Sequence, residues 1–462
     1  MKKNEQNESQ NQDLNRRAFL AGGSLASVFG AMGVVELKAQ DKAAEGETKY
    51  DANASPPVGM GLIGCGTRGR EILENLAQLP NAPVKAICDH YGAYLRRGAR
   101  IAKEAAKYEN YKDLLGDSNV EAVIVATPTH QHKDIVIDCL NAGKHVYVEA
   151  PLAHTIEDAR AIAQAAKKNP KVHFQVGMQN RSDPQRHFLN NFIKTGVMGR
   201  DAMARAQWNK KQSWKRFSPN NDRQKEINWR TRKDISLGIV GEIGIHHLDA
   251  CNWTYAKTPV AVSGFGSFIQ WNDDKQDVPN TIQVVVEYPG GANLIFHSSL
   301  ANSFDGDHEI YYGSDSAIMI RGDKAWMFKE ADSPLLGWEV YARKDKFYKE
   351  EGVALVMNAT KLKAQGEDGE DAQVFKETPV FYALQAFASN SYAHKSGVED
   401  FVDLFGDDPD GLADHLVDVE KEKLPYADYE IGFQAAVTAI KANEAINSGT
   451  RIEYKKEWFE VG

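Results

Sequence analysis

Three glycines at the spacing of a nucleotide loop form the first pattern in the chain that could support chemistry. Residues 64–69 read Gly-Cys-Gly-Thr-Arg-Gly and lie directly between a predicted strand and a predicted helix. Glycines at these positions allow a tight turn and let a pyrophosphate approach the backbone, and a helix N-terminus attracts its negative charge. We therefore predict that a dinucleotide binds to Gly64, Gly66, Thr67, Arg68 and Gly69.

An acidic residue bears on the choice between NAD and NADP. Asp89 lies twenty residues after Gly69, at the end of the second predicted strand, where its carboxylate can bind the ribose hydroxyls. A carboxylate at this position repels a 2′-phosphate, so NAD is the predicted cofactor. Four arginines keep NADP open as the alternative, namely Arg68, Arg70, Arg96 and Arg97.

Alternating strands and helices must position this loop. Apolar runs at 58–63, 84–88, 120–126, 145–148 and 173–176 predict strands, and the segments between them, such as 92–107, have helical spacing. This rhythm predicts a doubly wound parallel sheet, a Rossmann domain over 58–178. Because such sheets bind ligands at the carboxyl ends of their strands, we place Thr127, Pro128 and His132 beside the cofactor. Helix capping or surface polarity is the alternative for His130 and His132.

The pattern changes after residue 178. Helices are predicted at 185–194 and 242–255, with a polar loop between them, and alternating segments then predict strands between 260 and 321. We expect a C-terminal α+β domain over 179–462 with an open, mainly antiparallel sheet. An exposed sheet of this kind favours a homo-oligomer.

Composition excludes several kinds of partner. The formal net charge is −9, and basic residues are interspersed among acidic ones, so nucleic acid is not an expected ligand. The four cysteines lie in apolar segments without a Cys-x-x-Cys pair, which favours core packing over a disulfide framework or a zinc site. Small neutral or polar molecules are the expected ligands.

The N-terminal segment 1–39 has the pattern of an export signal. Arg16-Arg17 and Phe19-Leu20 precede an uncharged apolar run and then small residues near Ala39, an order that resembles a twin-arginine signal peptide. A membrane anchor with a chance arginine pair is the alternative. We expect cleavage, a linker at 40–57 and a periplasmic protein with no stable membrane anchor, because no later segment has the apolar length of a spanning helix.

Four motifs in this order resemble the Gfo/Idh/MocA family of NAD(P)-dependent oxidoreductases. They are GCGTRG, VIVATPTHQH, GKHVYVEAPLAHTIEDARAIA and GEIGIHHLDACNW, and the resemblance covers about residues 58–455. It implies an enzyme that oxidises or reduces a sugar, an inositol or a related polyol. A saccharide is therefore the expected substrate.

The resemblance also exposes a departure at the end of the strand at 145–148. The family has Glu-Lys-Pro there, with a lysine that polarises the reacting oxygen, whereas this chain has Glu149-Ala150-Pro151. Glu149 is predicted to belong to the cofactor site, but Ala150 has no proton to give. Since a positioned acid or base contributes a factor of about 10² to 10⁴ to a proton transfer, another group must replace the lysine or the chemistry must differ.

The resemblance places the remaining catalytic pair on the helix predicted at 242–255. An Asp and a His of the family correspond to Glu242 and His246, which share a helix face at i and i+4. We predict that His246 is the general base and that Glu242 orients and charges its imidazole, with Asp249 as an alternative orienter. His247 should point elsewhere, and a metal site on these residues is disfavoured for lack of a further ligand.

Substrate contacts are implied where the second domain begins. Among Gln179, Asn180 and Arg181 we predict that the arginine binds the substrate, and Trp229 of the following loop offers a flat face for a sugar ring.

Three functions remain open at this stage. The first is a periplasmic sugar or polyol oxidoreductase with a tightly bound cofactor. Because the periplasm has no sizeable nicotinamide nucleotide pool, a redox-neutral cycle is favoured over net oxidation. The second is an NAD-dependent glycoside hydrolase that works through transient oxidation and elimination, and the third is a noncatalytic binder of nucleotide or sugar.

Overall fold

The computed structural model of the chain describes residues 55–270, 276–336, 339, 342–347, 349–355 and 377–462. The predicted signal peptide and most of the predicted linker therefore lie outside the described residues. Among the described helices, none is both long and apolar enough to cross a membrane. Two compact units are distinguished as far as they are described, a large one (Ala52–Arg186, Met203–Glu309, Lys376–Gly462) and a small one (His187–Ala202, Ile310–Phe375).

A parallel sheet carries the glycine loop in the large unit, as predicted, and it has six strands where five were predicted. Its strand order is β3-β2-β1-β4-β5-β6, that of a doubly wound nucleotide-binding sheet. The strands are β1 (Met60–Ile63), β2 (Val84–Cys88), β3 (Ala106–Tyr108), β4 (Ala122–Val125), β5 (His145–Val148) and β6 (Phe174–Val176). The helices between them are α1 (Thr67–Leu76), α2 (Gly92–Ile101), α3 (Tyr111–Leu115), α4 (His132–Asn141) and α5 (Ile156–Lys168).

One helix of this unit is shorter than its pattern predicts. Apolar spacing predicted a helix over 92–107, but α2 ends at Ile101 and β3 begins at Ala106. β3 pairs in parallel with β2 at the edge of the sheet. Backbone pairing with a neighbouring strand has therefore overridden the weak helix propensity of this segment.

A helix from late in the chain completes the core around this sheet. α9 spans Pro379–Phe405 and was not expected from the sequence. Its residues 380–388 are all buried, and most of them share one apolar cluster with Leu62, Ile72 and Leu73. A helix segment that is buried on every side has no apolar period, which explains why its pattern does not reveal it.

The second sheet of the large unit is mainly antiparallel, as predicted. β9 pairs in antiparallel fashion with β8 and β10, β16 pairs with β8, and β7 runs parallel to β10. The strands are β7 (Asp201–Asn209), β8 (Ala261–Ser267), β9 (Thr281–Glu287), β10 (Asn293–Ser299), β11 (Asp307–Gly313) and β16 (Ile452–Glu453). The remaining helices of this unit are α7 (Asn221–Ile227), α8 (Ile245–Tyr255), α10 (Pro409–Glu422) and α11 (Tyr429–Ser448), and α11 packs on β8. Helix α6 (Pro184–Lys194) begins in this unit, and its residues from His187 onwards belong to the small unit.

The small unit is built on antiparallel strands. They are β12 (Ser316–Arg321), β13 (Lys324–Lys329), β14 (Lys344–Phe347) and β15 (Glu350–Ala354). β13 pairs with β12 and β15, and β14 pairs with β15. Trp326 is buried in this unit, where its indole N–H donates to Asp345 at 2.7 Å.

Three buried histidines pack together in the large unit. The ring centroid of His394 lies 6.2 Å from that of His145 and 6.1 Å from that of His173. Nε2 of His394 donates to the Pro170 carbonyl at 2.8 Å and Nδ1 accepts from Lys423 at 3.1 Å, an arrangement that requires a neutral ring. Burial lowers the pKa of His145 to about 3 and that of His394 to about 4, and lowers the pKa of His173 well below its usual value.

We expect the free energy of unfolding to fall in mild acid because of these rings. They are neutral in the folded chain and have a pKa of about 6.5 when unfolded, so the unfolded state binds more protons below that pH. Their contribution is fully present above pH 6.5 and declines as the pH falls towards 4, by up to about 1.4 kcal/mol per ring and pH unit. Denaturant unfolding at pH 7, 6 and 5 measures the slope. His394→Gln should make it shallower, and an unchanged slope would contradict the explanation.

Candidate active site

The glycine loop leaves room for a ligand at one of its three glycines. A Cβ at Gly69 would lie 1.8 Å from the Gly64 carbonyl oxygen, and Gly64 has φ +100°, so the turn itself requires both. A Cβ at Gly66 would meet no atom within 4 Å. Gly66 therefore borders open space just before α1, whose N-terminus at Thr67 can hold a pyrophosphate.

A cavity of about 600 Å³ opens from this loop. Asp89 lies in its wall, where Oδ2 accepts from the backbone N–H of Cys65 at 2.9 Å and Oδ1 from that of Tyr91 at 2.8 Å. The wall also contains Gly64, Gly66, Thr67, Arg68, Thr127 and Pro128. These residues fit a dinucleotide, because they combine an open glycine cradle, a helix N-terminus and a buried carboxylate.

Three of the four arginines that kept NADP open contact protein groups. Arg70 donates to the Cys65 carbonyl at 2.8 Å, and the Arg97 guanidinium lies 5.8 Å from the ring centroid of Tyr94. Arg68 is in the cavity wall but faces carboxylates and an amide. The geometry therefore favours NAD.

His132 lies behind the cavity wall, so the prediction that it binds the cofactor gains no support. Its ring is buried, with Nε2 3.0 Å from the Thr127 carbonyl oxygen and Nδ1 3.0 Å from that of Pro151. Burial lowers its pKa to about 4. His132 thus ties together the loops that follow β4 and β5. The neighbouring His130 is in the wall instead, with its ring 5.9 Å from that of Trp229.

Glu149 and Arg68 form an ion pair at the end of β5. Nε of Arg68 lies 3.1 Å from Oε1 of Glu149, and Nη2 donates to Oε1 of Gln179 at 3.0 Å. Burial raises the pKa of Glu149, and the charge of Arg68 opposes that effect. Although burial disfavours its charge, the pKa of Arg68 is raised by Glu149. A fixed cation therefore stands in the cavity wall, paired with the residue that precedes the position of the missing lysine.

Glu242 is a buried carboxyl poised near neutrality. It lies on a short π-helix, Val240–Gly244, so the single helix predicted over 242–255 is two segments of different winding. Its Oε1 accepts from the Thr129 hydroxyl at 3.3 Å, and its Oε2 lies 3.6 Å from Nε of Arg230. Burial raises its pKa to about 7, against the lowering effect of Arg230.

His246 is not oriented by Glu242 or Asp249, contrary to the prediction. Within the described part of the chain its Nδ1 is buried without a hydrogen-bond partner. The two carboxylates are engaged elsewhere, Glu242 with Thr129 and Asp249 with Arg181. Burial, followed by the charge of Arg68, lowers the pKa of His246 to about 3. The ring is therefore neutral and only weakly basic.

His247 belongs to an ion-pair network that spacing did not reveal. Its Nδ1 lies 2.8 Å from Oε1 of Glu309, and Arg186 lies 2.5 Å from Oε2 of the same carboxylate. Burial disfavours a charged ring, but Glu309 outweighs it and raises the pKa of His247. The network fixes the first turn of α8, which carries His246. Its members are far apart in sequence, so a local pattern gives no signal for it.

Arg181, predicted to bind the substrate, is held by protein groups. Its guanidinium donates to both oxygens of Asp249, at 2.9 and 2.8 Å, and its carbon lies 4.7 Å from the Trp253 ring centroid. A bidentate pair of this kind is strong, so the substrate role gains no support. Trp229 does line the cavity, and so does Arg230. The guanidinium carbon of Arg230 lies 4.6 Å from the ring centroid of Trp229.

Residues 216–230, here termed the cover segment, supply a wall of the cavity of which only Trp229 was predicted. The residues that line it are Arg216, Arg223, Glu226, Ile227, Trp229 and Arg230. The guanidinium carbon of Arg223 lies 3.8 Å from the ring centroid of Tyr91, and Glu226 contacts His90. These contacts join the cover segment to the turn that follows Asp89. Charged residues in a polar loop look like an ordinary solvated surface in the sequence.

Comparison with protein-family models matches both halves of the chain. Residues 58–178 match the model described as an oxidoreductase family with an NAD-binding Rossmann fold, GFO/IDH/MocA. Residues 188–327 match the GFO/IDH/MocA C-terminal domain.

Two kinds of curated protein are similar to the N-terminal part. The inositol 2-dehydrogenase of Salmonella typhimurium is 34% identical over 145 residues, which is 31% of this chain and 43% of that protein. A glycosyl hydrolase family 109 protein of Shewanella sp. is 32% identical over 151 residues, which is 31% of this chain and 33% of that protein. The chain thus spans less than half the length of these relatives.

Solved structures share the fold over most of the chain. An oxidoreductase domain protein from Kribbella flavida has a TM-score of 0.65 at 18% identity and covers 87% of this chain and 100% of its own. Levoglucosan dehydrogenase in complex with NADH and L-sorbose has a TM-score of 0.64 at 18% identity, with 86% and 98% covered.

Proposed function

Since the chain belongs to the Gfo/Idh/MocA family of oxidoreductases, whose N-terminal domain binds NAD, we propose that it is an NAD-dependent oxidoreductase acting on a sugar or polyol. The observation that carries the proposal is one cavity that runs from the glycine loop and Asp89 to Trp229 and Arg230. Glu242 lies 3.6 Å from Arg230. Nucleotide contacts, an aromatic face for a sugar ring and a titrating carboxyl are therefore combined in one site.

The chain must supply a base for the hydroxyl group that is oxidised. When bound, NAD supplies a hydride acceptor that can also return the hydride. Glu242, with a pKa of about 7, is suited to take and give a proton near neutral pH, whereas His246, with a pKa of about 3, is a weak base. We assign proton transfer to Glu242 and substrate positioning to His246, whereas the sequence predicted His246 as the base and Glu242 as the residue that orients it.

Thr129 is a buried residue that is hydrogen-bonded to this carboxyl. Its hydroxyl donates to Glu242, and its neighbours in the chain, Pro128 and His130, both line the cavity. We propose that the hydroxyl passes a proton from a bound sugar to Glu242, so that the carboxylate stays out of solvent.

The cover segment supports a cofactor that stays bound through turnover. Release of a nucleotide from the cavity would disturb the stacking of Arg223 on Tyr91 and Tyr94, at 3.8 and 4.7 Å, and the contact of Glu226 with His90. Glu226 also pairs with Arg223 at 2.7 Å. The segment thus acts as a latch on the ribose side of the site.

Arg223→Ala should accelerate loss of bound nucleotide by about tenfold. The variant removes two cation–π contacts and an ion pair, and about 1.4 kcal/mol corresponds to a factor of ten. Dilution of the loaded protein into an excess of a competing nucleotide measures the rate. Lys225→Ala, on the same helix but exposed, is the matched control. Equal rates for the two variants would argue against the latch.

Export gives a reason for retaining the cofactor. The twin-arginine signal predicted at 1–39, which lies outside the described residues, would deliver a folded protein to the periplasm. A cycle that oxidises one group and reduces another without releasing the cofactor needs no external nucleotide. We therefore propose a periplasmic, redox-neutral enzyme with a saccharide substrate.

NAD-dependent cleavage of a glycoside is the second candidate function. It is favoured by the similarity to a glycosyl hydrolase family 109 protein and by Ala150, which stands where a proton-donating lysine would otherwise be. Such cleavage is also redox-neutral, so it makes the same demand on cofactor retention.

One experiment tests both functions. The protein is purified, denatured and its released nucleotide counted by mass spectrometry, and the native protein is then mixed with free sugars and with chromogenic glycosides. About one NAD per chain, with reduction of the bound cofactor by a sugar, supports the oxidoreductase. Release of a chromophore that depends on bound NAD supports the glycosidase. A protein that holds no nucleotide and binds none when it is added contradicts both and leaves a noncatalytic role.

A further inference from the structure

We propose that Arg68 supplies the fixed positive charge of this active site in place of a lysine at position 150, an inference that rests on the proposed function. Ala150 is the second residue after β5 and is half-buried. Arg68, in the first turn of α1, contacts the residue that precedes Ala150, with Nε 3.1 Å from Oε1 of Glu149. The charge thus comes from a different element of the fold.

The guanidinium of Arg68 is held in one position by three separate elements. Besides Glu149 after β5, it contacts Gln179 at 3.0 Å through Nη2 and Glu71 of α1 at 3.1 Å through Nη1. A guanidinium has five N–H donors, so these three contacts leave two for a ligand. Because Arg68 is also in the cavity wall, its charge is both rigid and available to a bound molecule.

The charge of Arg68 affects the pKa of another residue in the site. After burial, it is the largest effect on His246, whose pKa it lowers. The carboxylate of Glu71 is half exposed and therefore screened by water, so it offsets this field only weakly. Glu149 is buried, and desolvation weakens its preference for the ionised form.

An arginine changes the division of labour at the reacting oxygen. An arginine keeps its proton at any physiological pH. It can therefore stabilise negative charge on the reacting oxygen, but it cannot donate a proton to that oxygen as a lysine can. In the forward direction the O–H proton passes to Glu242, and Arg68 stabilises the charge left on the oxygen. The site therefore tolerates Ala150 because the two functions of a lysine are carried by two residues.

The pKa of a thiol placed at position 150 reports the local charge, and its measurement does not require the enzyme to be active. In Ala150→Cys, a cation nearby should hold the thiol pKa down, and Arg68→Met in the same background should raise it by about one unit or more. The rate of alkylation by iodoacetamide as a function of pH reports this pKa, and the four native cysteines are all buried. Arg70→Met is the matched control, since Arg70 is two residues away and donates to the Cys65 carbonyl, and it should leave the thiol pKa unchanged. A thiol pKa that does not respond to Arg68→Met overturns the proposal.

Reaction rates test the same charge independently. Arg68→Met should slow reduction of the bound cofactor by a reacting sugar by about 10² to 10³, and Arg68→Lys should retain part of the rate. Adding Ala150→Lys to Arg68→Met should restore at least tenfold, whereas Ala150→Lys alone should give no gain. An equal gain from Ala150→Lys in both backgrounds would mean that the charge is missing from the natural protein, which overturns the proposal.

The two measurements separate this inference from the proposed function. If no sugar reduces the bound cofactor, the proposed function fails, and the thiol pKa still shows whether Arg68 charges position 150. Counting bound nucleotide in each variant shows whether methionine at position 68 has emptied the site. In that case Arg68→Lys, which keeps the charge, should keep the low thiol pKa, and loss of it would count against the inference.

Discussion

Glu242→Gln should slow sugar-dependent reduction of the bound cofactor by about 10² to 10⁴. Glutamine has the same shape and can still accept from Thr129, but it cannot take a proton. In the natural protein the rate of oxidation should rise as the pH passes through about 7, because the carboxylate form of Glu242 is the base. The variant should lose this rise. A single-turnover measurement of nicotinamide absorbance from pH 5.5 to 8.5 records both effects.

His246→Asn is the informative comparison for that result. It should raise the sugar concentration needed for half-maximal rate and keep the rise near pH 7, since the titrating group is still present. If His246→Asn instead removed the pH dependence while Glu242→Gln preserved it, the base would be the histidine and our assignment would be wrong. The two variants therefore decide between a structural and a sequence-based assignment of the same two residues.

Gly66→Ala should abolish nucleotide binding and leave the folded chain intact. The new methyl group would meet no protein atom within 4 Å and would occupy the space for the pyrophosphate. Gly66 has φ −62°, which alanine adopts without strain, so the free energy of unfolding without nucleotide should change by less than about 1 kcal/mol. We expect bound NAD per chain to drop at least a hundredfold.

Two further glycines serve as controls for this effect. Gly69→Ala would bring a Cβ to 1.8 Å from the Gly64 carbonyl oxygen, so it should reduce both stability and binding. Gly116→Ala meets only ordinary contacts and should reduce neither. Normal nucleotide content in Gly66→Ala would show that the pyrophosphate does not lie on this loop.

The parts of the site that could be predicted are those whose positions depend on the local sequence pattern. The glycine loop and Asp89 occupy the turns after neighbouring strands, so strand periodicity alone brings them to one edge of the sheet. Pro128 was placed by the same argument and does line the cavity. The parallel arrangement of the strands, too, follows from alternating strands and helices.

The parts that could not be predicted depend on partners distant in sequence. Spacing put Glu242 and His246 on one face, but the carboxylate binds Thr129 and Arg230, which no helical period connects to it. Arg181 was available for a substrate only as long as Asp249 was assigned to His246. Such choices between competing partners are settled by packing, which a single sequence does not display.

Apart from Trp229, the cover segment was missed for a related reason. Arg223 and Glu226 lie on α7, whose composition is typical of solvated surface, and their partners, Tyr91 and His90, are more than a hundred residues earlier. Charged residues that stack on aromatic rings are indistinguishable by pattern from charged residues that face water. Tyr91 and Tyr94, which follow Asp89 closely in the sequence, were the available sign that charged side chains could stack there.

The long helix α9 limits how this protein can be recombined with its relatives. Its first turns close the apolar core around Leu62, Ile72 and Leu73, although more than three hundred residues separate them in sequence. A fragment that stopped at residue 178 would leave that core surface open to water. Chimeras that exchange the nucleotide-binding half between family members should therefore carry residues 379–405 with it, and chimeras cut only at residue 178 should be poorly soluble.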